Sequence, residues 1–182
     1  MAHVEYDFKE FKDFFQRVGA AARGDFRKEL ELFLEGIGEQ FLQLVQDEII
    51  RREVTDSRLL LNSFERGSEN GVWTISEGGM ALEVGTNVEY AAYVNNGHWT
   101  IDPTKGKHFL LRNGEMARFV PGKWDGDHFI YDPNSETGMV LKQQWIEPQP
   151  YFDSAFRILE KMFPRMTEQK LQEWLDKYFG GS

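Results

Sequence analysis

The hydrophobic pattern changes period twice along this chain, and that constrains the fold more than any single motif. Phe26, Leu30, Phe33, Ile37, Phe41, Leu44 and then Glu48 or Ile49 recur every three or four positions. This is the spacing that lines one face of a helix. A stripe of that length predicts one helix of roughly 40 Å, at about 1.5 Å per residue. It contains Gly36 and Gly38, each costing about 1 kcal/mol relative to alanine inside a helix. A rod so long needs a sheet or a neighbouring subunit to lie across. Ahead of it Phe8, Phe11, Phe15 and Val18 keep helical spacing, Arg23-Gly24-Asp25 breaks the pattern, and Asp25 is placed to cap the long helix.

In the middle the period drops to two. "GVWTISEGGMALEVG" alternates through Trp73 and Ile75, turns at Glu77-Gly78-Gly79 and resumes with Leu82 and Val84, which predicts a hairpin. "KHFLLR", "DHFIYD" and "GMVLKQQWI" are further strands, set apart by Gly, Pro, Asn and Asp. Residues 99–127 are dense in such breakers and are expected to form a long irregular excursion. Residues 88–95 suit a short helix, with Asn87 as its cap and Asn95-Asn96-Gly97 ending it. Helical spacing then returns. Phe152, Ala155, Phe156, Leu159 and Phe163 follow Pro150, Pro164 interrupts, and Leu171, Trp174, Leu175 and Tyr178 form a last amphipathic segment. The order predicts an α+β fold: an antiparallel β-sheet packed by a long N-terminal helix and C-terminal helices. One domain over 1–182 is expected, helical at 1–54, β at 59–147 and helical again at 150–179.

The composition supports a packed core. With 182 residues, 41% apolar, and 15 Phe, a domain should bury about 70% of its unfolded surface. There is no cysteine, so disulfides and thiolate metal sites are out, which fits a reducing interior. "MAHVEYDFKEFKDF" has no apolar core of a secretory signal, and no run reaches the roughly 20 apolar residues of a membrane span. The expectation is a soluble protein made in the cytoplasm, with no membrane partner. The net charge is −9, with 30 acids against 21 bases, and no compact basic patch stands out. "IIRREVTDSR" has three arginines with two acids among them. Phosphate binding draws on unopposed Lys and Arg, so tight nucleic-acid binding is not expected.

His98 follows the Asn95-Asn96-Gly97 turn and precedes Trp99. A general base needs an orienting group and a nucleophile within reach, and no serine sits in a G-x-S-x-G elbow. Asp102, four residues on, is uninformative in an irregular segment, so His98 reads as a turn residue. "WDGDHFIYD" offers Asp125, Asp127 and His128 as ligands and opens like a calcium loop. The sixth position, where that loop requires glycine, is Ile130, while the twelfth is Glu136. A polar turn entering a strand is the plainer reading. The phosphate-binding glycine loops are absent. Most of the aromatics Trp73, Trp99, Trp124, Trp145, Tyr90, Tyr93 and Tyr131 belong in a core. Those in the turn-rich excursion point to an assembly contact, since Tyr and Trp are enriched at interfaces.

Three segments in order carry a resemblance. "SRLLLNSF" (Ser57 to Phe64), "VGTNVEYAAYVNNGH" (Val84 to His98) and "PQPYFDSAF" (Pro148 to Phe156) resemble the small head–tail joining or tail-component (tail-completion) proteins of tailed bacteriophages and phage-like prophage elements. That family shows a long N-terminal helix, then "TGxLxxS", "VGTxxxYAxYVExGT" and "xRPFLxxAL" segments. Here Asp56-Ser57 stands for the Thr-Gly, and Asn95-Asn96-Gly97-His98 for the acid and Gly-Thr. The longer stretch 99–147 is similar to an expanded prophage-type subgroup with contractile tails. The resemblance implies a structural virion protein with no catalytic residues, cofactor or metal. It implies self-assembly into a ring, a hexamer in the particle, that meets head-connector and tail-tube proteins. DNA would pass through without specific binding, and an acidic lumen would keep it from sticking. The expected interface comprises Tyr90, Tyr93, Asn95, Asn96, His98, Trp99, Phe119 and Trp124. Two other readings stay open on the residues alone. One is a metal-dependent hydrolase using Asp125, Asp127 and His128 with His98 or His108; the other is an unrelated soluble module that recognises a peptide or glycan through its aromatics.

Overall fold

The computed structural model of the protein describes residues 26–54, 58–76 and 81–179, with the isolated positions Gln16 and Gly19. The stripe Phe8 to Val18, the Asp25 cap and the turn Glu77-Gly78-Gly79 lie outside the described residues. The chain divides into two compact units, Met1–Ala91 with Tyr151–Ser182, and Ala92–Pro150. Helices plus antiparallel strands make it α+β.

The long stripe forms one helix, α1 (Phe26–Arg51), about 39 Å at the standard rise. Its partner in the first unit is α4 (Tyr151–Phe179). Tyr178 donates its hydroxyl to Glu29 near the start of α1, and Arg52 beyond its end donates to Ser154, so the two helices run antiparallel. Between them in sequence come α2 (Arg58–Ser63), β1 (Gly71–Ser76) and β2 (Ala81–Thr86). The hairpin register pairs Trp73 with Val84 and Ile75 with Leu82, as the alternation predicts. A two-stranded hairpin is marginal alone, and this one leans on α1. A Cβ at Gly38 would come within 2.8 Å of the Trp73 ring. The glycine that weakens the helix is what lets Trp73 and Leu82 approach its backbone. Nothing in the structure explains Gly36, where a Cβ would meet open space.

The core of this unit is deep. Val45, Leu60, Phe64, Tyr151 and Ala155 are fully buried. Phe64 meets Tyr151 at 6.0 Å and Phe152 at 6.2 Å between ring centres, and Phe41 meets Phe152 edge-on at 5.1 Å. The Tyr151 hydroxyl donates to the Ala91 carbonyl at 3.1 Å, and burial pushes its pKa up to about 12.

The C-terminal region departs from expectation at Pro164, which lies inside one continuous 29-residue helix instead of separating two. A proline in a helix interior costs about 3 kcal/mol. Both halves are anchored on α1, Tyr151 and Ala155 by burial at one end and Trp174 and Tyr178 at the other. Trp174 packs edge-on against Phe26 at 4.6 Å. That packing outweighs the missing hydrogen bond.

The second unit begins within α3 (Ala91–Asn96). This helix starts three residues later than the predicted 88. The Thr86 hydroxyl, not Asn87, accepts the Val88 N–H at 3.1 Å, and the Asn87 N–H is taken by the Asn70 carbonyl. The chain then runs through β3 (His98–Trp99), β4 (Phe109–Leu110), β5 (Met116–Asp125), β6 (His128–Tyr131), β7 (Gly138–Lys142) and β8 (Trp145–Ile146). β3 and β8 pair as His98↔Ile146 and Trp99↔Trp145, closing the unit where the chain enters and leaves it.

Within the expected irregular excursion 99–127, the ten-residue β5 is the strand that β4, β6 and β7 all pair with. The breakers Pro121 and Gly122 do not end it, because the strand changes partner there. β7 pairs through Pro121↔Gly138, and β6 takes over from Gly122↔Tyr131. Proline is tolerated where its absent N–H is not needed. At Gly122 a Cβ would collide with the Ile130 carbonyl oxygen and the Phe129 ring.

Candidate functional site

Very little of the second unit is hidden from water. Of residues 92–150 only Asn95, Ile101, Ala117 and Gly122 are buried. Strand alternation explains how this arises. Phe119 and Val140 are registered opposite each other across β5 and β7, so they share a face, and both are about half exposed. Two positions along β5, Ala117 lies between Phe109 on β4 and Lys142 on β7. Trp124 and Phe129 pair across β5 and β6 at 5.3 Å, and Trp124 is 60% exposed. A sheet built this way has cross-strand ring pairs but no layer of its own to bury them.

The predicted interface residues divide. Tyr90 falls in the first unit and is half-buried; the others lie in the second. Tyr93, Trp99, Phe119 and Trp124 are exposed large side chains. Asn95 is turned inward and donates its amide to Asn96 Oδ1 at 2.8 Å, while Asn96 is exposed. The structure brings Tyr93 against His98 at 5.5 Å, and Trp99 against Trp145 at 5.4 Å on the β3–β8 ladder. Sequence reasoning missed Tyr131, Ile130, Val140 and Trp145, all exposed. "DHFIYD" forms β6 as read, while "GMVLKQQWI" divides into β7 and β8, and the missing covering layer is not visible in a local pattern.

The histidines and carboxylates can be placed as well. His98 Nδ1 faces the Tyr93 carbonyl oxygen at 3.3 Å, and no ion pair among the described residues includes a histidine. Its neighbour Asp102 accepts from the Thr104 N–H and hydroxyl, and the hydroxyl above all holds its carboxyl below the usual range. That is an Asx turn, and it occupies the carboxylate. Asp125 and His128 face each other across a two-residue turn. Of its central residues Gly126 alone has a positive φ, 59°, the sign pattern of a type II′ hairpin. No group of three or more His, Cys, Asp or Glu able to hold a metal occurs among the described residues.

The first unit holds several ion pairs. Glu48, buried, accepts from Arg51 and from Arg52 at 3.0 Å, and the Arg51 hydrogen bond holds its carboxyl below the usual range. Arg66 pairs with Glu35 at 3.1 Å and with Glu39, and lies 4.6 Å above the Trp73 ring. Two of the three arginines in the stretch Ile49 to Arg58 are thus engaged with Glu48, the acid just ahead of it. No helix among the described residues is long and apolar enough to cross a membrane.

Comparison with known proteins adds lineage to this geometry. Residues 9–97 match the family model described as "Bacteriophage HK97-gp10, putative tail-component". The "Uncharacterized protein YqbI" of Bacillus subtilis (strain 168) is 43% identical over 167 residues, covering 91% of this chain and 95% of that protein. The "Phage-like element PBSX protein XkdI" of the same organism is 41% identical over 157 residues, covering 86% and 90%. No solved structure matches the chain.

Proposed function

The chain belongs to the HK97-gp10-like family of phage tail components, and from that premise we propose that this structural phage protein works at the head–tail junction or tail terminus. It acts by assembling with copies of itself into a ring, a hexamer in the particle, which meets head-connector and tail-tube proteins. It performs no catalysis and needs no cofactor. The observation that carries this reading is the second unit, whose paired rings and aliphatic side chains stay largely exposed to water. Contiguous exposed apolar surface of this kind marks association sites. The corner at His98 supports it too, since the ring nitrogen faces a main-chain carbonyl.

The charge fits the same role. Of 21 bases and 30 acids, the second unit holds six and seven, leaving 15 and 23 in the first. A ring that turns the acidic unit to its lumen would let DNA pass without sticking.

Deleting the gene from its phage or prophage element tests the proposal. Heads and tails are expected to accumulate unjoined, or tails to lack a finished end, and complementation should restore whole particles. Normal particles without the protein would reject the role.

A further inference from the structure

An open groove lies between α1 and α4, close to where α1 begins. Its walls include Leu32, Phe33 and Gly36 on α1 and Met166 and Trp174 on α4, and it holds about 690 Å³. That is far beyond an ordinary packing defect. Leu32 is 65% exposed, and a Cβ at Gly36 would meet nothing within 4 Å. The charged groups along the groove are matched to one another: Lys170 donates to Glu173 at 2.9 Å, and Lys177 to Glu29. What stays uncovered is apolar, so the groove suits the apolar face of a helix better than a charged ligand.

The chain carries such a face within reach. Ahead of α1, Phe8, Phe11, Phe15 and Val18 fall within about 80° of one another at helical spacing, while Lys9, Glu10, Asp13 and Arg17 fall on the other side. Gln16, one of the two described positions in this stretch, is helical and exposed, and the same spacing sets it away from the stripe. The two surfaces also match in register. Phe11, Phe15 and Val18 are separated by four and then three positions, and Glu29, Leu32 and Gly36 by three and then four. Facing residues of two antiparallel helices joined by a short turn lie equally far from that turn. Pairing Val18 with Glu29, Phe15 with Leu32 and Phe11 with Gly36 centres all three pairs on one point, between Arg23 and Gly24. The Arg23-Gly24-Asp25 break stands there, and helical hairpins usually turn in about 2–5 residues. By the same count Phe8 falls opposite Glu39, past the groove.

We propose that residues 8–20 form a helix that folds back and fills this groove in the same chain. Phe15 covers Leu32, and the Phe11 ring lies over the bare backbone of Gly36. The glycine, a cost to α1 taken alone, then makes room for a ring. A helix this short is marginal in water without a partner, so segment and groove each supply what the other lacks. A second copy offers the same stripe, but the chain's own is tethered by a three-residue turn and so has the higher effective concentration.

The chain has no cysteine, so disulfide trapping is clean. Full-length Phe15→Cys with Leu32→Cys, oxidised in dilute solution, is expected to close a disulfide within one chain, and Gln16→Cys with Leu32→Cys should not. In the wild-type protein the amides of residues 8–20 should be protected from hydrogen exchange. Gly36→Glu should speed their exchange tenfold or more, while those around Val45 stay slow. A disulfide that forms only between chains gives the groove to a second copy, and protection found only in purified particles gives it to another particle protein. Either result overturns the fold-back. Equal trapping from positions 15 and 16, or exchange of residues 8–20 that Gly36→Glu leaves unchanged, overturns it as well.

Discussion

In the helical unit a set of aromatic rings packs inside a closed core, and in the sheet unit the ring pairs lie on exposed surface. Phe64 is fully buried against Tyr151 and Phe152, whereas Phe119, with the same side chain, stands about half exposed beside Val140. Individual bases differ too. Arg52 is held by Glu48 and reaches Ser154, while Arg112 and Arg118 have no carboxylate partner among the described residues. A side chain whose interactions are complete within its own unit contributes to stability. One left exposed and unpaired contributes only when something else arrives. On the proposed assembly role, the first unit would supply a stable fold and the second the contacts.

That contrast can be broken most severely at Phe64. Phe64→Ala removes a fully buried ring and should cost about 3–5 kcal/mol, read as a large drop in the urea midpoint. A loss under about 1 kcal/mol would mean the core around Tyr151 is not packed as described. Next is Glu48, whose replacement by Ala leaves Arg52 half-buried without its partner and should cost about 2–3 kcal/mol at neutral pH. Its folded pKa lies below the ordinary 4.5 because of the Arg51 hydrogen bond. The contribution is thus complete above about pH 4.5 and fades as pH falls through the folded value. The gap between wild type and mutant, followed by melting at successive pH values, should narrow below 4.5; a constant gap would contradict the pairing.

Gly38→Ala sharpens the comparison more gently. Alanine is worth about 1 kcal/mol in helix propensity, yet its Cβ would press on Trp73 at 2.8 Å. Overpacking costs about 1–3 kcal/mol, so a net loss of about 1 kcal/mol is expected, and a more stable mutant would show the hairpin crossing to be loose. The smallest effect belongs to Phe119→Ser and Trp124→Ser, which should change stability by no more than about 0.5 kcal/mol. Both should still depress self-association, measured by sedimentation.

Much of the scaffold was legible because its signals are local. The stripe from Phe26 to Ile49 is helical period, and the Trp73–Val84 and Ile75–Leu82 pairs follow from alternation about a turn. Pro164 and Pro121 misled for one reason: each reads as a stop, and each is tolerated through contacts distant in sequence. Trp174 on Phe26 holds the helix beyond Pro164, and the exchange of β7 for β6 relieves Pro121. The exposed apolar surface of the second unit was legible in part. Trp99, Phe119 and Trp124 could be picked as aromatics among breakers, but Val140 and Trp145 are exposed only because no layer covers their strands.

Hydrogen exchange, compared between the free protein and purified particles, tests the division of labour most directly. Amides along β4 to β7 should gain protection in the particle, while those of α1 around Val45 should be slow in both. Equal exchange of the sheet unit in the two states would contradict the account.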